Sequence, residues 1–528
     1  MKISRPFFDT LLSQLRTLTG APRVQPTEEA PLRAELFSAD QLAQHGKRLA
    51  ASHTLTAKNA SNPLLARLSA NEAILVGVCN LLTEAVAIER RITPAGEWLL
   101  DNFYLIEEQI RTAKQHLPKA YSRELPRLAH GSASGLPRVY AIALEAVAHG
   151  DGRIDKAGFS RFVAAYQTVA PLNLGELWAI PIMLRLALIE NLRRVAVRIA
   201  AGRVERNQAD AWVDQMIVMA ETDPKSLILL TADMARSDPP MTTPFISEFV
   251  RRMQGQGAAL ALPLTWIEQR LAESNLTIEQ LIQSGNQQQA TDQVSISNSI
   301  GSLRFLGAAD WPTFVEDMSL VEHTLRTDPR GAYAGMDFAT RDRYRHQIEK
   351  IARRCAHAEP DIARQAIQLA TAAASQDATA RAAHVGYYLI DAGCTELEAS
   401  VAMRPALLAP LHHFGRRFPL PLYLGAILLI TVLITGGLTL IAYASGLPSW
   451  LLVLIDGIAL VSASQMAVAL VNWLATLLAS PHPLPKMDFS KGIPADFQTL
   501  VIVPHPAQQP AQYRRPARSA RSPLSRQS

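Results

Sequence analysis

At 528 residues the chain is long enough for roughly three to four domains of ordinary size, so length alone excludes little. Its net charge of +5 comes from 52 basic against 47 acidic residues, and five of the arginines (Arg514, Arg515, Arg518, Arg521, Arg526) sit in an acid-free tail from His505 onward. Without that tail the chain is neutral, which argues against a folded nucleic-acid-binding face. Cys79, Cys355 and Cys394 are odd in number and far apart, so they build neither a disulfide framework nor a paired-cysteine metal site, and a reducing compartment is expected.

The N-terminus, MKISRPFFDTLLSQLRTLTG, has no continuous apolar core and no small-residue cleavage site, so it does not read as a secretory signal. Residues 1–61 are polar and weakly periodic, with a loop over Pro22 to Pro31, and weak order is expected there. Residues 62–418 read as a cytoplasmic helical region. In ITPAGEWLLDNFYLIEEQI, Thr93 can cap and Pro94 can take the first helical position. Leu99, Phe103, Ile106 and Ile110 then form one stripe, with Glu97, Asp101, Tyr104 and Glu108 opposite. The stretch GELWAIPIMLRLALIENLRRVAVRIA is more apolar than a surface helix but carries Arg185, Glu190, Arg193 and Arg194. These charges make it costly in lipid and predict a central helix of a bundle, with a kink at Pro181. Gly285 and the glutamine run of QSGNQQQATDQ predict a soft spot that divides two helical subdomains near 285–292. Tyr344, Ile348, Ile351 and Cys355 repeat at helical spacing, which makes Cys355 a small core residue.

Partial motifs fall short of chemistry. GDGRIDKAGFSRF has Asp151 and Asp155, but Arg153, Lys156 and Phe162 stand where a calcium loop needs a ligand, a glycine and a closing glutamate. It reads as a turn between helices. Gly255 and Gly257 follow a helix and lack the third glycine of a dinucleotide site. His412 and His413 are adjacent, and no HExxH motif or Cys/His quartet is present. The acid pairs Glu107 with Glu108 and Glu176 with Glu190 are expected on solvated faces or in salt bridges with arginine. No catalytic, cofactor-binding or metal-binding residue is therefore assigned.

Between Arg417 and Lys486 the only charged side chain is Asp456, and the stretch divides into Leu422 to Ala444 and Trp450 to Leu478 around SGLPS. Each half exceeds the ~20 apolar residues that span a bilayer, so residues 419–480 read as a two-helix transmembrane hairpin. Gly436, Gly437 and Gly446 leave a buried soluble hairpin as the alternative. Arg416, Arg417, Lys486 and Lys491 flank the hairpin, which predicts both ends in the cytoplasm. Asp456 lies near the far interface and is expected to snorkel or to pair with the neighbouring helix. The fold class is thus all-α: a cytoplasmic multi-helix region, a transmembrane hairpin and a disordered basic tail.

Several strings, among them EWLLDNFYLIEEQI, LPKAYSRELPRL, GLPRVYAIALEAVAHGDGRID, VAPLNLGELWAIPIMLRLALIENLRR, DQVSISNSIGSLR, RTDPRGAYAGMDFATRDRYRHQIEKIAR and PKMDFSKGIPADFQTLVIVP, resemble in order the N-terminal part of the bacterial cyclic β-1,2-glucan synthases. The resemblance runs from about Asn62 to Pro504. It implies an inner-membrane, multi-pass protein in which the helical region and first two membrane helices precede a glycosyltransferase domain that uses UDP-glucose and a divalent metal. TLVIVP would be that domain's first strand, making 481–504 its remnant start, and 505–528 reads as a disordered basic tail. The resemblance implies no cofactor within this chain and an N-terminal, anchoring fragment that is inactive alone, with the lipid bilayer, a transferase domain and glucan as partners. A free-standing membrane scaffold or regulatory subunit working with a separately encoded transferase is the alternative. A third reading puts glucan binding on Trp98, Trp178 and Trp311, whose helical spacing argues instead for core packing.

Overall fold

The computed structural model describes residues 31–56, 63–117, 121, 124–131, 133–257, 260–404, 419–478, 484–490 and 492–494. The chain forms two compact units, Met1–Leu320 and Val321–Ser528. Nearly all regular structure is helical, as the sequence predicts. Among the described residues the exception is a two-residue antiparallel pair, Leu55–Thr56 with Arg127–Leu128, in the register Leu55 to Leu128.

In the first unit, α1 (Ala39–Ser52) and α6 (Lys156–Gln167) pack on each other, while α2 (Leu64–Ala87), α3 (Pro94–Asp101), α4 (Phe103–His116) and α5 (Arg138–His149) gather around α7, a 49-residue helix over Leu174–Thr222. That helix is roughly 70 Å long at 1.5 Å per residue. It starts from a capping box between Asn173 and Glu176 and stays helical through Pro181. Every residue from Pro181 to Glu190 is buried, which is why this stretch is apolar all round where a surface helix would show one stripe. The expected central helix is present. Its later turns pack with α8 (Leu227–Arg236), α9 (Thr243–Met253) and α10 (Ala261–Ala272) around a second core of Val213, Phe245, Phe249 and Ile267.

The predicted break near 285–292 does not occur. Residues 285–292 lie inside α11, a continuous helix over Ile278–Ala308 that opens with a capping box between Thr277 and Gln280. Glutamine is a good helix former, and Gly285 is there for packing: a Cβ on it would stand 2.3 Å from Thr243 Cγ2. The short helix α12 (Trp311–Met318) follows, and the boundary between the units falls at 320/321.

The expectation of weak order over 1–61 also needs correction for its described part. Residues 31–37 run along the end of α5, with Ala34 N donating to the Ala148 carbonyl (3.1 Å) and Phe37 N to the His149 carbonyl (3.3 Å). Leu32 N donates to Asn191 Oδ1 of the central helix at 2.9 Å. α1 then opens with a capping box between Ser38 and Gln41 and packs on α6, where Gly46 allows the Phe162 ring and carbonyl to approach. The predicted loop over Pro22 to Pro31 falls almost wholly outside the described residues.

Thr93 caps α3 as predicted, accepting from Gly96 N at 3.2 Å with Pro94 at the first position. The predicted stripe is split: α3 ends at Asp101 and α4 begins at Phe103, although Leu99, Ile106 and Ile110 are all buried. The GDGRID turn joins α5 to α6, and Asp155 caps α6 by accepting from Gly158 N at 2.8 Å.

The second unit opens with α13 (Leu320–Leu325) and continues with α14 (Phe338–Ala352), α15 (Glu359–Gln376), α16 (Gly386–Ile390) and α17 (Cys394–Ser400). Tyr344, Ile348 and Ile351 are in its core, while Cys355 lies beyond the end of α14 and is only half-buried. Two long apolar helices follow, α18 (Pro419–Ala444) and α19 (Ser449–Leu478), packed against each other within a residue or a few of the predicted bounds. Residues 484–490 then return to the helical part. Met487 bridges to Met336, Asp337 N donates to the Lys486 carbonyl (2.9 Å), Asp488 N to the Gly335 carbonyl (2.8 Å), and Lys486 N to Thr340 Oγ1 (3.1 Å). The tail from His505, the strand TLVIVP and the pair His412–His413 lie outside the described residues.

Candidate functional site

The most distinctive surface is that of α18 and α19. Their facing sides are made of small residues: Ala459, Ala463 and Ala467 recur every fourth position and are buried, with Ala442, Thr431 and Val471. Small side chains let two helices approach closely where lipid offers no hydrophobic drive to pair them. The outward sides are large and apolar, with Leu440 70% and Val453 73% exposed, a surface unsustainable in water at this length. Aromatic residues stand near both ends: Tyr443 and Trp450 beside the turn, Tyr423 and Trp473 at the other end. Tyr423 and Tyr443 are twenty residues apart, about 30 Å along a helix, which matches the hydrocarbon thickness of a bilayer. Two polar pairs cross the seam. Thr439 donates to Asp456, as one of the two expectations for that residue had it, and Tyr423 Oη donates to Asn472 Oδ1 at 2.6 Å. A third helix, α2, is also long and apolar enough to cross a membrane, but Leu64, Leu68, Leu75 and Leu82 are buried in the core of the first unit.

The acids singled out in the sequence divide as expected. Glu107 and Glu108 are exposed. Glu176 and Glu190 are fully buried and held by arginine. Glu176 receives Arg138 on both oxygens. Glu190 receives Arg67 (2.7 and 3.0 Å), Asn71 (2.8 Å), Arg193 (2.9 Å) and Arg194 (3.0 Å). Burial alone would raise the Glu190 carboxyl, but the bonds from Arg67 and the charge of Arg193 outweigh it and hold the group well below the usual carboxylate range. A cavity of about 550 Å³ opens between the central helix, α9 and α11, with Arg198, Glu205, Arg206, Gln288 and Asp292 beside Ile199, Met241 and Leu281 in its lining. Arg198 is paired with Asp292 across it. Of the three tryptophans, Trp311 donates to the Leu306 carbonyl (3.0 Å) and packs on Phe305 and Phe314, Trp178 packs on the core, and Trp98 stands 39% exposed.

One cluster was not anticipated. His45 of α1 meets Glu145 and His149 of α5, with their ligand-capable atoms all within 4.8 Å of one another. Its only trace in the sequence is the i, i+4 spacing of Glu145 and His149 on one helix, and His45 is a hundred positions away.

The fold and its surface thus define a class: an all-helical protein with a paired apolar hairpin suited to a lipid bilayer. No family model matches the chain. Over 482 residues it is 32% identical to cyclic beta-(1,2)-glucan synthase NdvB of Rhizobium meliloti (strain 1021), a match that covers 90% of this chain and 17% of that protein. The chain is therefore related to the cyclic β-1,2-glucan synthase family, as its quoted strings implied, and spans about a sixth of the length of the curated relative it matches.

Proposed function

We propose that this chain is the helical, membrane-anchoring portion of a cyclic β-1,2-glucan synthase, with glucosyl transfer from UDP-glucose carried out by residues other than those it contains. The single observation that carries the reading is the 32% identity sustained over 90% of the chain, hairpin included. In this reading α18 and α19 cross the bacterial inner membrane and both of their flanks lie in the cytoplasm. The basic residues Arg416, Arg417, Lys486 and Lys491 support that orientation. So does the return of residues 484–490 to the body that precedes the hairpin, because a segment bonded to Gly335, Asp337 and Thr340 shares their side of the membrane. The helical body holds the transferase domain in place and gives the growing glucan a surface to lie on.

Two measurements on bacterial cells making this chain test the reading. After alkaline carbonate washing the chain should stay with the membrane pellet, and deletion of residues 419–478 should release it to the supernatant. Those membranes, supplied with UDP-glucose, should form no β-1,2-glucan above the level of membranes without the chain. A soluble full-length chain would overturn the anchoring role, and glucan synthesis dependent on the chain would overturn the assignment of transfer to other residues.

A further inference from the structure

We infer that His45, Glu145 and His149 form a binding site for a divalent transition-metal ion, of which Zn²⁺ is the type, and that the ion staples the N-terminal segment to α5. Two imidazoles and one carboxylate are a donor set that zinc and its neighbours accept, leaving a fourth position for water. In a tetrahedral site with bonds of about 2.0–2.1 Å, neighbouring ligand atoms stand roughly 3.4 Å apart. Here His149 Nε2 lies 3.4 Å and His45 Nε2 2.9 Å from the same Glu145 oxygen. Small side-chain shifts bring the three around one ion.

The surroundings of His149 fix which nitrogen is offered. Its Nδ1 is 2.7 Å from the Glu35 carbonyl oxygen, which can only accept, so Nδ1 carries a proton and Nε2 is the nitrogen open to a metal. Nε2 faces the Glu145 carboxylate, where a metal ion can take the place of a proton between the two groups. A backbone carbonyl holding the outer N–H of a ligating histidine is the usual support of a metal site. Phe37 stacks flat on the His149 ring, with centroids 3.9 Å apart and planes 8° apart, and so holds its orientation and shields one face. His149 is nearly buried, whereas Glu145 is half exposed, which gives the ion a path in and a place for water.

The ion would add a tie between elements that already meet through the bonds of Ala34 and Phe37 to the end of α5. Glu35 and Phe37 come from the segment that enters α1, His45 from α1 itself, and Glu145 and His149 from the C-terminal end of α5. Binding therefore couples to the docking of the N-terminal segment.

The test uses the full chain in detergent, without a histidine tag, stripped with a chelator and dialysed. Zn²⁺ added alone should be retained at one equivalent and should raise the unfolding temperature. Co²⁺ added in its place should give the visible absorption of a tetrahedral nitrogen and oxygen site. Because His149 is buried, the variants are His45→Ala and Glu145→Gln at the more exposed positions. Each should weaken Zn²⁺ binding at least ~10- to 100-fold, the loss that even an outer-sphere partner causes, and should abolish the cobalt spectrum while leaving the helical circular dichroism unchanged. Wild-type chain that retains no stoichiometric Zn²⁺, or variants that bind it as tightly as wild type, would overturn the site.

Discussion

At the residue scale the first unit depends on charges that have been taken out of water in groups. Glu190 is surrounded by Arg67, Asn71, Arg193 and Arg194, so Glu190→Gln would leave guanidinium groups without their counter-charge in a buried place. The expected cost is about 3–5 kcal/mol, the range for breaking a buried pair by removing one partner. The pH dependence follows from the lowered carboxyl. A group with a depressed folded pKa contributes its stability above the unfolded value, near 4.3, and loses it as pH falls through the folded one. Chemical denaturation should therefore show a wide gap between wild type and Glu190→Gln at neutral pH that narrows in acid, whereas a gap independent of pH would contradict the assignment. A second residue tests packing. A Cβ on Gly46 would stand 2.9 Å from both Cδ2 and the carbonyl oxygen of Phe162, so Gly46→Ala must push α1 off α6. A destabilisation of about 1–3 kcal/mol is expected, and a neutral or stabilising result would mean that this contact is looser than described.

At the scale of elements, the membrane hairpin is held by small residues. Ala467 is fully buried against α18, and Ala467→Leu should wedge the helices apart. Cysteines placed at Tyr423 and Asn472, whose side chains now meet, report this directly. The tyrosine side chain that spans this gap holds the two backbones beyond disulfide reach, so a short bismaleimide is the reagent: cross-linking should be efficient in the parent and drop several-fold with Ala467→Leu, and equal yields would show that the seam does not depend on alanine. The elements also show how far sequence reading reaches. α7, α18 and α19 were legible because their apolar content is decisive by itself, and the capped start at Thr93 because its chemistry is local. α1 was not legible: its apolar positions, Leu42 and Leu49, are few, and its order comes from Phe162 and from a docked lead-in segment. The supposed break at Gly285 failed for a related reason, since a glycine that opens a turn and one that admits a neighbouring threonine look alike in one dimension.

At the scale of the whole molecule, burial separated the apolar helices by role. α2 and α19 are both long enough to span a bilayer, yet one is core and the other exposes its leucines, a difference that hydropathy alone does not draw. The His45, Glu145 and His149 cluster was hidden likewise, because the topology and not the spacing brings it together. The return of residues 484–490 to Gly335, Asp337 and Thr340 has a consequence for biogenesis. Translation produces the helical body first and the exit segment last, with α18 and α19 between them. If the hairpin crosses the membrane as proposed, the exit segment can reach its partners only after both helices have crossed and come back, so its hydrogen bonds with Gly335, Asp337 and Thr340 would form after insertion. In that arrangement a chain with only one helix threaded would carry residues 484–490 on the opposite side, and Met336 and Thr340 would lack the contacts that the exit segment makes with them.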